Sequence, residues 1–170
     1  MSKRLLFCVE TTKNANTDYP YIRSTIDHYY EVTRQTVLRR ICMESKSRYN
    51  SKAVQKEIKR QSGTEKNAHV IYCIDTDDYN TSPEAKAQTD RIRDYCSQNG
   101  YDFIFFCRNV EDVFHGKSIP GTDKVKAVRR FRTRNQIETI RTANLQREDY
   151  QPHCSNILNV LDKYLTRKKK

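Results

Sequence analysis

His69-Val70-Ile71-Tyr72-Cys73-Ile74-Asp75-Thr76-Asp77-Asp78 is the stretch on which the fold turns. A run of β-branched and aromatic residues stops abruptly in three carboxylates. Short uninterrupted apolar runs of this kind predict a strand buried on both faces, the usual case in a parallel sheet covered by helices. Ligands of open α/β sheets sit just beyond the carboxyl ends of the strands, where Asp75, Asp77 and Asp78 fall. With a side-chain period of two, Asp75 and Asp77 are expected to project from the same side, roughly 6–7 Å apart at about 3.3 Å per residue. Two acids held that close repel unless a cation lies between them, and Mg²⁺ binds in this way through one or two carboxylates. The simpler alternative is an Asp-rich strand end that only caps the helix after it.

Working outward, Arg4-Leu5-Leu6-Phe7-Cys8-Val9 reads as a first buried strand, and it too ends in a carboxylate, Glu10. Asp18 is expected to cap a helix from about Tyr19 to Glu31, with Pro20 in its first turn. Tyr19, Ile22, Ile26 and Tyr29/Tyr30 fall at helical spacing and read as core. Gln35 to Met43 predicts a second strand, and Ser51 to Gln61 a basic helix closed by Gly63. Ser82-Pro83-Glu84 has the cap, proline and acid of a helix N-terminus, with Gly100 as the stop near Gln98. Asp102 to Cys107 is the next strand. Strand and helix in alternation predict a three-layer α/β domain with a mostly parallel central sheet. Right-handed crossovers would then gather Glu10, Asp75, Asp77, Asp78, Glu111 and Asp112 at one edge.

The last third differs. Val110 to Phe114 is a short helix or turn, and Lys124 to about Arg132 a basic helix. Residues 133–151 have weak periodicity and are left as helix or loop. Asn156 to Leu165, capped by Ser155, is expected to form an amphipathic helix before a disordered tail, Arg167-Lys168-Lys169-Lys170. The organisation is therefore an α/β domain over residues 1–115 and a basic, mainly helical extension over 116–170 packed on it.

Composition bounds the function. The 170 residues carry 32 Lys and Arg against 21 Asp and Glu, a formal charge of +11, with 36% hydrophobic and 31% charged residues. A balance this basic points to a polyanionic partner, most simply nucleic acid, DNA or RNA. Six cysteines show no CxxC or zinc spacing, and Cys8, Cys73 and Cys107 lie inside apolar runs as small hydrophobes. No signal peptide is visible and no apolar stretch approaches the ~20 residues of a membrane helix. The expectation is a reduced, cytoplasmic protein without membrane contact. Four glycines and no Gly-x-Gly-x-x-Gly argue against a dinucleotide-binding domain.

One carboxylate after the first strand and an Asp-x-Asp after a later one form a divalent-metal arrangement. Oxygen ligands alone select Mg²⁺ or Mn²⁺ over zinc. Such a metal polarises a phosphoryl oxygen and stabilises a leaving alkoxide. Glu10 could serve as ligand or as general acid/base, and Glu111 with Asp112 could complete a second metal position. Two basic blocks flank the acids. One contains Arg39, Arg40, Lys46, Arg48, Lys52, Lys56, Lys59 and Arg60; the other contains Lys117, Lys124, Lys126, Arg129, Arg130, Arg132 and Arg134. Such cations position phosphates without reading sequence. His115 lies next to the acidic segment, while His28, His69 and His153 have no partner at useful spacing.

Val9-Glu10 ending the first strand, a helix after it, and Ile74-Asp75-Thr76-Asp77 ending a later strand resemble the Toprim domain. That domain is shared by topoisomerases, primases, small ribosomal-RNA maturases and OLD-type nucleases. The layout is also similar to the RloB-like group of phage-defence proteins, in which the strand corresponding to Phe103–Cys107 leads into an acidic segment, here Asn109 to Phe114. The resemblance covers about residues 4–115, with Thr11 standing where the family has a glycine. It implies Glu10, Asp75 and Asp77 as metal and catalytic acids; Asp78 and Glu111, from their place at the strand ends, are further metal candidates. It also implies a Mg²⁺- or Mn²⁺-dependent nuclease or related phosphoryl-transfer enzyme, with a partner protein or homo-oligomer compatible with it; from the second basic block, Lys117, Lys124, Lys126, Arg129 and Arg130 are the expected contacts to nucleic acid. The alternative is a non-catalytic nucleic-acid-binding subunit of a defence complex.

Overall fold

Two strands at the centre of the sheet organise everything else in the structure, a computed structural model that describes residues 2–64 and 66–169. They are β1 (Lys3–Val9) and β4 (Ala68–Asp75), each with a run of five buried apolar residues. Between them come α1 (Tyr19–Tyr29), β2 (Tyr30–Glu31), β3 (Thr36–Cys42) and α2 (Lys52–Ser62). After them follow α3 (Pro83–Asn99), β5 (Asp102–Phe106), α4 (Val110–His115), α5 (Lys124–Thr133), α6 (Ile157–Leu161) and β6 (Thr166–Arg167). The main sheet has the order β3-β1-β4-β5 and every pairing is parallel, with Leu5 opposite Leu38 on one side and His69 on the other. This is the three-layer, Rossmann-like α/β architecture expected from the strand–helix alternation.

Both faces of the sheet are covered, which explains the uninterrupted apolar runs. Leu5, Phe7, Val9, Ile71 and Cys73 face one layer, together with Tyr21, Ile22 and Ile26 of α1 and Phe131 of α5. The residues between them, Leu6, Cys8, Val70, Tyr72 and Ile74, face Val54 and Ile58 of α2 and Ile92 and Cys96 of α3. The chain leaves β1 towards β3, then crosses back over β1 to reach β4. The strand order therefore reverses between β1 and β4, and the crevice beyond their carboxyl ends is the switch point where such sheets bind ligands.

Local signals behave as their chemistry dictates. The Ser51 and Ser82 hydroxyls accept the Val54 and Ala85 amides at 3.3 and 3.2 Å, and Asn109 accepts the Asp112 amide at 2.9 Å. Gly100 ends α3 in the left-handed region at φ 67°, where a Cβ is disfavoured.

Three expectations are corrected. The helix after Asp18 stops at Tyr29, because Tyr30–Glu31 pairs antiparallel with Thr166–Arg167. The basic tail is accordingly not free at Arg167, which stacks over Tyr29 and Tyr30 and binds Asp162; Lys170 lies outside the described residues. The last helix is only Ile157–Leu161, because Ser155 and Asn156 are turned to the sheet instead of extending it. The Asn156 side chain accepts the Phe105 amide at 2.9 Å and donates to the Phe103 carbonyl at 2.9 Å, while the Ser155 hydroxyl donates to the Phe105 carbonyl at 2.6 Å. The open edge of β5 is thus satisfied by side chains acting as a neighbouring strand. Asn156→Leu, which leaves two backbone groups unpaired under cover, is expected to lower stability by about 2–4 kcal/mol, read from the urea midpoint.

The segment over 133–151 is two 3₁₀ turns, Gln136–Thr139 and Thr142–Leu145, anchored by buried Ile137 and Leu145. Among the described residues no helix is long and apolar enough to cross a membrane.

Candidate active site at the carboxyl edge of the sheet

Glu10 and Asp75 follow from the two central strands and meet at the switch point. Glu10 Oε1 accepts the Asp75 amide at 2.7 Å, so the side chain after β1 is tied to the end of β4. Asp75 Oδ1 in turn accepts the Val110 amide at 3.0 Å, the first of α4. Thr11 does not have a positive φ, so the backbone after Glu10 needs no glycine in this chain.

Two further acids join them from outside the sheet. Asp18 precedes α1, but its side chain makes no cap hydrogen bond, correcting the expectation of a helix cap. It is buried, and its nearest hydroxyl, Thr17 Oγ1, donates at 3.4 Å. Glu111, in the first turn of α4, has a fully buried side chain, and neither of its oxygens accepts a hydrogen bond. Lys124 Nζ, at the start of α5, lies 3.2 Å from Glu111 Oε2, close enough for an ion pair but not aligned as a hydrogen bond.

The electrostatics follow from this crowding. Burial pushes the Glu10 carboxyl up to about 7, against the opposing pull of Lys46 and the Asp75 amide. Burial, then the Glu111 charge, pushes Asp18 up to about 6, and Lys124 opposes the rise. Asp75 is held well above the ordinary carboxylate range by burial, then by Glu10, Asp18 and Glu111. Burial favours the neutral amine at Lys124, but Glu111, Asp75 and Asp18 outweigh it and keep the ammonium firmly charged. Glu10, Asp18, Asp75 and Glu111 thus share one edge with only Lys46 and Lys124, among the described residues, to offset their charge, a site short of positive charge.

The other expected residues are placed as follows. The strand ends at Asp75, so its alternation does not carry on to Asp77. That residue has a left-handed backbone at φ 48° and an exposed side chain paired with Lys46. Asp75 and Asp77 therefore do not project together as the period-two reading expected. Lys46 is buried and also donates to the Asp75 carbonyl at 2.8 Å. Asp78 is exposed, and its carbonyl accepts the Thr81 and Ser82 amides. Asp112 turns away from Glu111 and meets His153, whose Nδ1 lies 3.0 Å from Asp112 Oδ2; His153 therefore does have a partner, 41 residues away. His115 packs against Phe131 and shares a hydrogen bond of 2.8 Å with the Tyr21 hydroxyl, a structural role. Of the five expected nucleic-acid cations, Lys124 reaches the acids; Lys117, Lys126 and Arg130 line a neighbouring cavity of about 380 Å³, and Arg129 a separate groove beside Val125 and Val128.

Sequence reasoning missed Asp18 and the separate role of Lys46. Asp18 carried a signal that also fits a plain helix cap, and Lys46 was one of many basic residues in its block. Among the described residues no three His, Cys, Asp or Glu side chains converge closely enough to hold a metal ion as they stand. No family model, no curated protein and no solved structure matches this chain, so the chemistry of the site is read from its own side chains.

Proposed function

We propose that this edge is the active site of a divalent-metal-dependent nuclease, a phosphodiester-cleaving enzyme of Toprim-like build used in bacterial or phage defence. The observation that carries the reading is Glu111, a fully buried carboxylate whose one cationic neighbour among the described residues is Lys124 at 3.2 Å, set beside the acids Asp18 and Asp75 at the switch point. Buried carboxylates are normally paired or coordinate metals, and these four acids have two lysines, Lys46 and Lys124, between them. The donor set is oxygen only, which fits Mg²⁺ or Mn²⁺. Glu10, Asp75 and Glu111 are the side chains that would hold the ion, and they would have to draw together to do so, because no three acids among the described residues converge as they stand. When bound, such an ion supplies Lewis-acid polarisation of a phosphoryl oxygen.

The chain's own groups define the rest. Lys46 holds the Asp75 carbonyl and Asp77, which fixes the strand end. Lys124 sits over Glu111 and is placed to meet a phosphate oxygen once that carboxylate has another partner. Without the ion Glu10 holds its proton up to about pH 7, so binding of the ion would displace that proton. Binding of nucleic acid without cleavage is the second reading, favoured by the lack of three converged ligands among the described residues.

Calorimetric titration of Mn²⁺ into the wild type and into Glu10→Ala/Asp75→Ala at low salt separates them. Saturable binding in the wild type, lost in the double variant, is expected. No binding by the wild type, with or without an oligonucleotide, would leave the binding-module reading.

A further inference from the structure

A further cavity, of about 330 Å³, has Asp77, the partner of Lys46, in its lining. Its walls include Asp78, Tyr79, Arg108, Tyr150 and His153. Its volume stands at the lower end of small-ligand pockets and is too narrow for a duplex. Three residues that line it have left-handed backbones without being glycine: Asp77 at φ 48°, Arg108 at φ 64° and His153 at φ 60°. Such conformations persist only where the surroundings hold them, and they cluster at ligand sites. Here the Asp77 amide donates to the Arg108 carbonyl at 2.9 Å, and the Arg108 amide donates to Thr76 Oγ1 at 3.0 Å. His153 is fixed through Nδ1, which donates to the Asp112 carbonyl at 3.2 Å and therefore carries the hydrogen. Its Nε2 has no partner among the described residues.

The lining chemistry selects the ligand. Asp77, Asp78 and Asp112 outnumber the cation Arg108, so the cavity repels a bare phosphate. Tyr79 and Tyr150 stand edge to face with centroids 4.3 Å apart, and the remaining walls offer donors and acceptors of both kinds. A flat, neutral ring with several hydrogen-bonding edges fits such walls. The cavity also continues. Asp77, Asp78 and Arg108 belong to an adjoining groove that contains Ser118, and Ser118 opens onto the cavity lined by Lys117, Lys126 and Arg130. An acidic pocket, able to accept hydrogen bonds from a neutral ring but not to hold a phosphate, thus leads through Ser118 to three cations of the sign that a phosphate backbone needs.

Resting on the nuclease reading, we infer that this cavity takes one unstacked nucleobase of a single-stranded nucleic acid whose backbone runs towards Lys117, Lys126 and Arg130. A base can enter only when it is out of its helix, so single strands are the substrate class.

The test uses the full chain at low salt with EDTA, a single-stranded dodecamer bearing one 2-aminopurine, and the matched duplex. Affinity is read by anisotropy and base environment by 2-aminopurine fluorescence. The single strand is expected to bind about tenfold more tightly than the duplex, with a change in fluorescence. Arg108→Gly and His153→Asn should each weaken single-strand binding by about tenfold and remove that change. Both replacements tolerate a left-handed backbone, and asparagine still donates to Asp112, so folding is kept. Equal affinity for both strands, or variants that bind and fluoresce as the wild type does, would overturn the pocket and leave the nuclease reading intact. Binding of neither oligonucleotide, with Ca²⁺ also present, would remove both.

Discussion

Asp75→Asn is expected to stabilise the protein in EDTA while abolishing Mn²⁺ binding and reducing any phosphodiester cleavage by at least about 100-fold. The two effects have one cause. Asp75 is surrounded by Glu10, Asp18 and Glu111, and burial adds to their repulsion, so its charge is unwelcome unless a cation neutralises it. Asparagine keeps the Oδ1 acceptor that receives the Val110 amide, so the link between β4 and α4 survives. What is lost is the charge alone. The gain is expected as a rise in Tm at pH 8, where an unfolded carboxylate is fully charged. Thermal unfolding in EDTA and calorimetry with Mn²⁺ measure the two halves. A variant less stable than the wild type would show that the carboxylate is a structural element of the edge, and the metal argument would fail with it.

The pH dependence carries the same sign. Glu10 rises from 4.5 to about 7 and Asp18 from 3.8 to about 6 on folding, so between roughly pH 4 and 7 the native state binds more protons than the unfolded chain. Their contribution is present below their unfolded values and is lost as pH rises through the folded ones. Through these two groups the metal-free wild type should therefore lose stability as pH rises from about 4 to 7. Other groups act elsewhere or oppositely. Glu57, lowered to about 2 first by its bond from Arg60, matters only below about pH 4.5. His69 and His115, lowered first by burial, favour the native state as pH rises to 6.5. The difference between wild type and Asp75→Asn cancels these, and its slope should be shallower in the variant because the remaining acids lose a like-charged neighbour.

The parts of this arrangement that were legible in the sequence are those set by short-range physics. β1 and β4 announced themselves because both faces are buried, and Ser51, Ser82 and Gly100 mark helix ends through their own backbone chemistry. Glu10 and Asp75 could be placed together because strand ends in a parallel sheet share an edge. Asp77 could not, because alternation is a property of strands and the strand ends at Asp75. Asp18 looked like a cap, since a carboxylate before a helix reads the same whether it binds the helix amides or faces three other acids. The pair His153–Asp112 and the strap formed by Ser155 and Asn156 depend on where residues after 133 return, and weak periodicity there gives no direction.

Phe131→Ala is expected to destabilise the protein by about 3–5 kcal/mol, and deletion of residues 116–170 to abolish cooperative unfolding altogether. Phe131 is fully buried, with ring centroids 5.0 Å from Tyr21 and 5.6 Å from Phe114, so it joins α5 to α1 and α4 at once. Ile137, Leu145, Ile157, Leu158 and Leu161 enter the same cluster as Leu5 and Phe7 of β1. Without them one face of the central strands is uncovered, and parallel strands do not persist with an exposed apolar face. The consequence reaches the acids, because α5 begins at Lys124 and its buried Val128 and Phe131 hold the ammonium over Glu111. Circular dichroism and urea unfolding of both variants test the claim. Had the truncated chain unfolded cooperatively, the cation at the acidic edge would belong to an appendage that could be lost, and the site would have to work with Lys46 alone. If Phe131→Ala instead weakens the fold as expected, the same apolar contacts that close the sheet also set the charge balance among Glu10, Asp18, Asp75 and Glu111.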